Sequence, residues 1–384
     1  MKSLKQYMDI KSISNYIENY IENHTNESIL DDEDVLLDPE RDKEIIRSWI
    51  VDNYEIKGHL KVNNDLTVDC SGDVITKNSD IESLTNGFFS WGKIGGDFDC
   101  CDCDKLTSLK GSPEKVDGNF KCYICIKLVS LEGAPKEVGK HFSCSWCKNL
   151  TSLEGAPEKV GWDFDCSNCG KLTSLKGAPK EVGRDFNCSC CWGLTTLEGA
   201  PEKVGRDFDC SYCDNLTSLK GSPKEIGRDF NCSNCDNLIS LKGSPKEVGE
   251  DFNCSDCEKL TSLEGASGKI GSIFNCFGCK NLTSLKGSPK EVGKNFVCND
   301  CEKLTSLEGA PEKVGGNFGC SECNNLKSLK GAPKEVGGDF NCSDCKKLIS
   351  LEGAPEEVDC GFYCFGCEKL IVTDEDRKKY TIIK

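Results

Sequence analysis

The sequence is poor in histidine and methionine, and it has no long apolar run. Only three histidines and two methionines occur among 384 residues. The apolar stretches are a few residues long, whereas a membrane-spanning helix needs about 20. The amino-terminal segment MKSLKQYMDIKSISNYIENYIEN lacks the basic-then-apolar order of a secretory signal. We therefore expect a cytoplasmic protein that does not act at a membrane.

Positive charge is also scarce, because 48 basic side chains face 64 acidic ones and give a net charge of −16. Such a chain is repelled by nucleic acid and by anionic lipid surfaces. The sequence shows no nucleophile–base pair, no phosphate-binding glycine loop and no carboxylate dyad. We accordingly predict a protein that is not an enzyme, needs no cofactor and binds no nucleic acid.

Cysteine, in contrast, is abundant and strictly periodic. Phenylalanine recurs thirteen times at a constant spacing of 22 residues, from Phe98 to Phe362. A first cysteine follows each Phe by two residues, and a second follows three residues later, so that 26 of the 30 cysteines belong to these pairs. A fixed period of this length indicates a solenoid, in which each coil buries its apolar edge against its neighbours.

One coil, VGEDFNCSDCEKLTSLEGASGK, indicates the local structure. The alternation in D-F-N-C-S predicts a short strand with the Phe and the first Cys facing inward. Glycine and proline in the following segment predict a tight return arc. The residue after each "SL" is Lys or Glu, and nine of the eleven neighbouring pairs are opposite in sign. This alternation favours coils stacked in register, with the Phe, both Cys and both Leu buried.

The order Val-x3-Phe-x-Cys-x2-Cys-x2-Leu-x2-Leu resembles the leucine-rich repeat, whose general form is Leu-x2-Leu-x-Leu-x2-Asn-x-Leu. The resemblance places Phe252 and Cys254 at the strand leucines and Cys257 at the asparagine that caps the inner turn. Leu260 and Leu263 take the next leucines. The repeat sequence is similar to short repeats of tailed-phage and gut-bacterial proteins, and more distantly to bacterial effector and surface-antigen repeats. It implies a mainly β solenoid of thirteen coils, phage-encoded, that binds proteins on its concave strand face.

Three interpretations of the paired cysteines compete. Their spacing, Cys-x2-Cys-x18-Cys-x2-Cys, falls in the range of zinc ribbons, so a metal-binding array (zinc or iron–sulfur) is one alternative. Disulfides between coils are another, but stacked coils about 4.8 Å apart exceed the spacing of about 3.8 Å that a disulfide needs between Cβ atoms. Thirteen pairs suit four-ligand sites poorly. Free cysteine packs as a small buried hydrophobe, and we favour this third interpretation.

The two ends of the chain do not follow the 22-residue repeat. Isoleucines at helical spacing predict an amphipathic helix in residues 1–34. We predict that residues 35–90 form an amino-terminal cap made of a second helix and strands. The predicted solenoid occupies residues 91–370, and a carboxyl-terminal cap follows in residues 371–384. Terminal coils need such covers because their apolar edges would otherwise face water.

Two outward features are candidates for partner binding. Bulky residues interrupt an otherwise monotonous surface, and exposed aromatic residues are common interface anchors; they are Tyr123, Ile124, His141, Trp146, Trp162, Trp192 and Tyr212. An unbroken acidic run precedes five consecutive Phe residues, with arginines (Arg184, Arg206 and Arg228) before three of its members; it comprises Asp163, Asp185, Asp207, Asp229 and Asp251. We predict a non-catalytic scaffold for an unknown protein partner, with a purely structural role as the alternative.

Overall fold

The computed structural model describes residues 39–77 and 79–383. The helix predicted within residues 1–34 lies outside this part of the chain. The chain divides into two compact units, Met1–Trp162 and Asp163–Lys384. The boundary falls inside the repeat array, at a point where the 22-residue period of the sequence continues without change.

In the first unit, the described residues start with an α-helix, Pro39–Asn53, which is followed by four short strands. Tyr54–Lys57 pairs antiparallel with Asp73–Thr76, and Leu60–Val62 pairs antiparallel with Thr67–Cys70. The Tyr54 ring contacts Trp91 at a centroid distance of 5.2 Å, and its hydroxyl donates to the Leu84 carbonyl at 2.7 Å. These aromatic contacts extend the core of the coils into the amino-terminal region.

Two kinds of strand complete the first unit: three strands that each start at a Phe and four that each end at Val or Ile. We call these the Phe strands and the Val strands. The Phe strands are Phe98–Asp99, Phe120–Lys121 and Phe142–Ser143. The Val strands are Ser90–Ile94, Lys115–Val116, Glu137–Val138 and Lys159–Val160. Each kind forms its own parallel sheet, in which Phe98 pairs with Phe120 and Ile94 with Val116.

The second unit continues the same pattern over ten coils. Its Phe strands are Phe164–Asp165, Phe186–Asn187, Phe208–Asp209, Phe230–Asn231, Phe252–Asn253, Phe274–Asn275, Phe296–Val297, Phe318–Gly319, Phe340–Asn341 and Phe362–Tyr363. Its Val strands are Glu181–Val182, Lys203–Val204, Glu225–Ile226, Glu247–Val248, Lys269–Ile270, Glu291–Val292, Lys313–Val314, Glu335–Val336 and Glu357–Val358. Both sheets are parallel and in register, as Phe252↔Phe274 and Val248↔Ile270 show.

The core is made of residues repeated from coil to coil, as the sequence predicts. Each Phe of the thirteen coils is fully buried, and within each unit the successive rings stack, as between Phe164 and Phe186 at 5.2 Å and 3°. Both cysteines of every pair and the leucines that follow them are buried as well. The fold class, a mainly β solenoid, is therefore confirmed.

The strands differ from expectation in two respects. The Phe strand has two residues where D-F-N-C-S predicted about five, and the Val strand was not predicted. Close backbone approach favours glycine directly after most Val strands, because a Cβ on Gly227 would lie 2.0 Å from the Gly205 carbonyl oxygen. Two ordered residues per coil are too few to produce a recognisable alternation in sequence.

Opposite charges stand side by side on neighbouring coils. In the first unit Lys110 pairs with Glu132 at 3.5 Å. In the second unit Lys220 pairs with Glu198 at 2.8 Å, and further pairs join Lys286 with Glu264 and Lys330 with Glu308. The alternation of Lys and Glu after each "SL" thus reflects stacking in register, which confirms that prediction.

The second unit ends in a short helix, Asp374–Lys379, and a strand, Ile382–Ile383. Thr373 and Asp376 form a reciprocal capping box at the start of the helix. The strand pairs with Phe362–Tyr363, and the Tyr380 ring lies 4.8 Å from that of Phe362. Within the described ranges, no helix has the length and apolar character required to cross a membrane.

Candidate functional site

The second cysteine of each pair is a hydrogen-bond donor inside the core. In most coils its thiol donates to the carbonyl oxygen of the first cysteine of the preceding coil, as from Cys257 Sγ to the Cys232 oxygen at 3.3 Å and from Cys125 Sγ to the Cys100 oxygen at 3.1 Å. In the first coil Cys103 Sγ donates instead to the Cys101 oxygen at 3.5 Å. We call these residues, Cys103 to Cys367, the second-cysteine column. A buried carbonyl without a partner is costly, so a small side chain that carries a donor is required here.

Burial also favours the protonated thiol at members of this column such as Cys235 and Cys257. Desolvation raises the pKa of Cys235 from its ordinary value of 9.0 to about 12, and it raises that of Cys257 well above 9.0. A thiolate is the form that binds metal. Among the described residues, no group of three or more His, Cys, Asp or Glu side chains is arranged to hold a metal ion. Burial of the paired cysteines and the hydrogen bonds from their thiols to backbone carbonyls agree with the interpretation of these residues as part of the core.

Four cysteines lie outside the paired positions, and all thirty are free thiols in the structure. Cys70 is buried, Cys101 and Cys190 are partly exposed, and Cys360 is exposed. Burial raises the pKa of Cys190, which reduces its thiolate fraction. We therefore expect Cys360 to be the most accessible of them to a thiol reagent.

The acidic run belongs to what we call the pre-Phe column, the residue before each Phe. In the second unit each carboxylate accepts a hydrogen bond from the next residue of the column one coil further on. Asp229 Oδ1 accepts from the Asp251 amide at 2.9 Å, and Asp251 Oδ1 accepts from the Ile273 amide at 2.9 Å. In the first unit Asp97 Oδ1 accepts from the Asn119 amide at 2.8 Å. The short acceptor side chain of Asp or Asn therefore has a structural role wherever it occurs in this column.

The same geometry leaves the second oxygen of each carboxylate for other contacts. Asp207 is half-buried, and desolvation, assisted by neighbouring Asp185 and Asp229, raises its pKa. Arg228 forms a two-pronged pair with Glu250, at 2.9 and 3.2 Å. Arginines beside the acidic run thus offset part of its charge, as Arg206 does at 3.8 Å from Asp185.

The residue just before the second cysteine adopts a left-handed backbone in all thirteen coils. We call these positions the left-handed column. Eight of them carry the residues that tolerate this conformation best, Asp, Asn or Gly. Trp146, at φ 60°, and Tyr212, at φ 56°, are bulky exceptions whose side chains are 45% and 51% exposed. Their backbone strain brings no packing gain of the kind that a buried ring provides.

In the first unit, the predicted aromatic residues occupy different parts of the coil. Tyr123 lies between the cysteines of its pair, one residue before Ile124 in the left-handed column, and Trp146 follows at that column one coil later. His141 and Trp162 lie in the turn between a Val strand and a Phe strand, and their rings meet edge to face at 5.2 Å. The ammonium groups of two lysines lie over aromatic rings, Lys140 at 5.4 Å from Trp162 and Lys148 at 6.0 Å from Trp146.

In the second unit, Trp192 directly follows the second cysteine of its pair and is 47% exposed. Its ring lies against Gly170, where an added Cβ would approach the ring to 2.9 Å. Tyr212 lies one coil further on, and the Asn215 side chain donates to the Trp192 carbonyl at 2.6 Å. These contacts fix the position of Trp192 while leaving the rings of Trp192 and Tyr212 accessible.

Sequence reasoning missed several exposed apolar side chains. In the first unit Val129 is 54% exposed; in the second, Phe277 and Phe365 are 40% and 46% exposed. Each of the two Phe residues belongs to the sequence C-F-G-C. At the same place most coils have C-S-x-C, with Asn or Asp common at x. This local departure from the repeat sequence is the signal that could have identified them.

Two parallel sheets of short strands, stacked 22-residue coils and a buried ladder of leucine, phenylalanine and cysteine define a leucine-rich-repeat-like β-solenoid. Among solved structures, the chain is similar to a leucine-rich repeat protein from Bacteroides ovatus ATCC 8483. The two are 16% identical, the TM-score is 0.45, and the match covers 83% of this chain and 91% of that one. The sequence matches no family model and none of the curated proteins.

Proposed function

We propose that the protein is a non-catalytic scaffold that binds protein partners through exposed aromatic residues on its coils. The observation that carries this proposal is the presence of Trp146 and Tyr212 at left-handed positions. A bulky residue there costs about 1 kcal/mol or more of backbone strain. Such a cost is understandable where the exposed ring serves as an interface anchor.

Each unit offers its own candidate surface. The first comprises Ile124 and Trp146, which occupy the same column one coil apart, with Tyr123 beside them. The second comprises Trp192 and Tyr212. A rigid array of hydrogen-bonded coils presents such side chains in fixed positions, so that little ordering entropy is lost on binding.

The acidic run plays a secondary part in this proposal. Since Asp163, Asp185, Asp207, Asp229 and Asp251 already serve the coil-to-coil hydrogen bonds, their remaining charge acts at long range. A partner with a basic surface would then associate faster at low salt, while the aromatic residues would determine how slowly it dissociates.

Asparagine substitutions test the proposal without adding strain. Trp146→Asn and Tyr212→Asn remove the ring and place a residue that is favoured at φ > 0. The immobilised wild-type chain and each variant are used to capture proteins from a lysate of the source organism, and the captured proteins are identified by mass spectrometry.

We expect at least one protein to be retained by the wild type and reduced about tenfold or more by one of these substitutions, since anchors contribute about 2 kcal/mol. Asn234→Asp, a change at the same column that removes no ring, is the matched control. Equal capture by both variants and the wild type would exclude the aromatic surfaces and favour a purely structural role.

A further inference from the structure

A groove in the second unit differs chemically from the rest of the coil surface. It has a volume of about 410 Å³ and lies along four neighbouring Phe strands, between Asn295 and Phe365. Its lining residues include four asparagines and one charged side chain, Asp339. The corresponding pre-Phe positions from 163 to 251 are all aspartate.

The groove exists because two of the residues that directly follow a Phe, Val297 and Gly319, depart from the usual pattern. Most coils of the second unit have Asp or Asn there, whose oxygen accepts from the amide two residues on, as in Asn341 to Ser343 at 3.0 Å. Val297 and Gly319 cannot do so. The Asn299 side chain replaces the missing acceptor by accepting from the Ser321 amide at 3.0 Å, and it lies 2.7 Å from where a Cβ of Gly319 would stand.

Backbone hydrogen bonds fix which way the asparagine amides point. The Oδ1 atoms of Asn295 and Asn317 accept from the amides of Asn317 and Asp339, both at 2.9 Å. Asn299 and Asn341 also use their oxygens for backbone amides. Because each oxygen is engaged, each Nδ2 group is left as a donor in the wall of the groove. Asp339 uses Oδ1 for the Gly361 amide and retains Oδ2 as an acceptor.

Two aromatic rings border this row of amides. Tyr363 and Phe365 stand perpendicular to each other at 6.5 Å, and Phe365 is 46% exposed. Gly361 makes room for the Tyr363 ring, because a Cβ there would lie 2.6 Å from Cε2 of the ring. The tyrosine hydroxyl adds a group that can both donate and accept.

We propose that this groove binds a neutral oligosaccharide. A sugar ring has an apolar face of C–H groups that packs against an aromatic ring. Its hydroxyls each accept and donate, so neighbouring hydroxyls match the Nδ2 donors together with the Asp339 carboxylate. A charged ligand is not favoured, because the lining carries a single ionisable charge. This inference is independent of the proposed protein-binding function, since it rests on other residues.

The test uses native electrophoresis of the full chain through gels that contain a soluble glucan, xylan or mannan. The net charge of −16 drives migration, and binding to a neutral polysaccharide retards it. We expect retardation of the wild type in at least one gel. Asn317→Asp should weaken that retardation about tenfold in apparent Kd, because it exchanges a donor for a carboxylate while keeping the oxygen that accepts from Asp339.

Aspartate at this column is compatible with the fold, as Asp229 shows, so the thermal midpoint of Asn317→Asp should match that of the wild type. Phe365→Ala should weaken retardation by a similar factor. Asp207→Asn, the reverse exchange outside the groove, should leave retardation unchanged. The proposal is overturned if the wild type migrates freely in all three gels, as it would if the groove held a peptide. It is also overturned if Asn317→Asp and Phe365→Ala are retarded like the wild type.

Discussion

The second-cysteine column and the pre-Phe column both join neighbouring coils by a hydrogen bond from side chain to backbone, but they differ in burial. Cys257 is fully buried and donates to a carbonyl, whereas Asp229 is partly exposed and accepts from an amide. Cysteine occupies the buried column in all thirteen coils, while the exposed column contains Asp, Asn, His, Ile and Gly. Burial restricts the residue type in the second-cysteine column, whereas partial exposure lets the charge in the pre-Phe column vary without a change of fold.

The largest effect that would separate the two columns is alkaline unfolding. The buried thiols have pKa values raised above 9.0, so the unfolded chain loses their protons first as pH rises, and the folded state loses stability between pH 9 and about 12. Each fully shifted thiol contributes up to about 1.4 kcal/mol per pH unit. We expect the thermal midpoint, followed by circular dichroism with reductant, to fall steeply from pH 8 to 10. A flat profile would contradict the protonated thiol ladder.

Removing one buried thiol should have the next largest effect. Cys257→Ala leaves the Cys232 carbonyl without its donor in a dry environment, which should lower the free energy of unfolding by about 2 kcal/mol. Urea denaturation monitored by circular dichroism measures the change. Cys360→Ala, at an exposed thiol, is the control and should stay within about 0.5 kcal/mol. Equal effects of the two substitutions would show that the column is not structurally important.

The corresponding change in the exposed column should cost less. Asp229→Ala removes the acceptor for the Asp251 amide, but water can partly replace it, so we expect a loss of about 1 kcal/mol. Asp229→Asn keeps the acceptor and should change stability by less than about 0.5 kcal/mol. The same urea measurement applies. If Asp229→Asn were as destabilising as Asp229→Ala, the negative charge and not the hydrogen bond would be the stabilising feature.

The smallest expected effect has the opposite sign. Tyr212→Asn places a residue suited to φ 56° at a strained position and should raise stability by about 0.5–1 kcal/mol. Asn234→Tyr, one coil further along the same column, should lower it by a similar amount. Differential scanning calorimetry of both variants provides the comparison. A loss of stability in Tyr212→Asn would mean that the tyrosine ring packs usefully on its own coil.

Much of the fold could be predicted because the buried residues recur without exception. The period of Phe98 to Phe362 and the pairing of Lys with Glu specify stacked coils, and burial of the Phe, Cys and Leu columns follows. The Val strands could not be predicted, since their two residues alternate too briefly. The structural use of the acidic run was also hidden. Asp163 to Asp251 look like a charged surface in sequence, and only the coil spacing reveals that each carboxylate meets a backbone amide one coil away.

The groove between Asn295 and Phe365 is a further case in which sequence alone was insufficient. Exchange of Asp for Asn appears conservative in a repeat, and Gly319 looks like one more turn residue. Their combination matters only when four coils lie side by side and the amides line the same groove. The register of the coils determines which variable positions lie side by side, and this arrangement is not apparent along the sequence.

The alternation of lysine and glutamate after each "SL" has a consequence for how such an array can lengthen or shorten in evolution. Glu264 faces Lys286, and Glu308 faces Lys330. Loss of the single coil that carries Lys286 would bring Glu264 opposite Glu308, whereas loss of two successive coils would restore a pair of opposite sign. A gain or loss of two coils therefore preserves the favourable pairing that nine of the eleven neighbouring pairs show, whereas a change of one coil places like charges side by side.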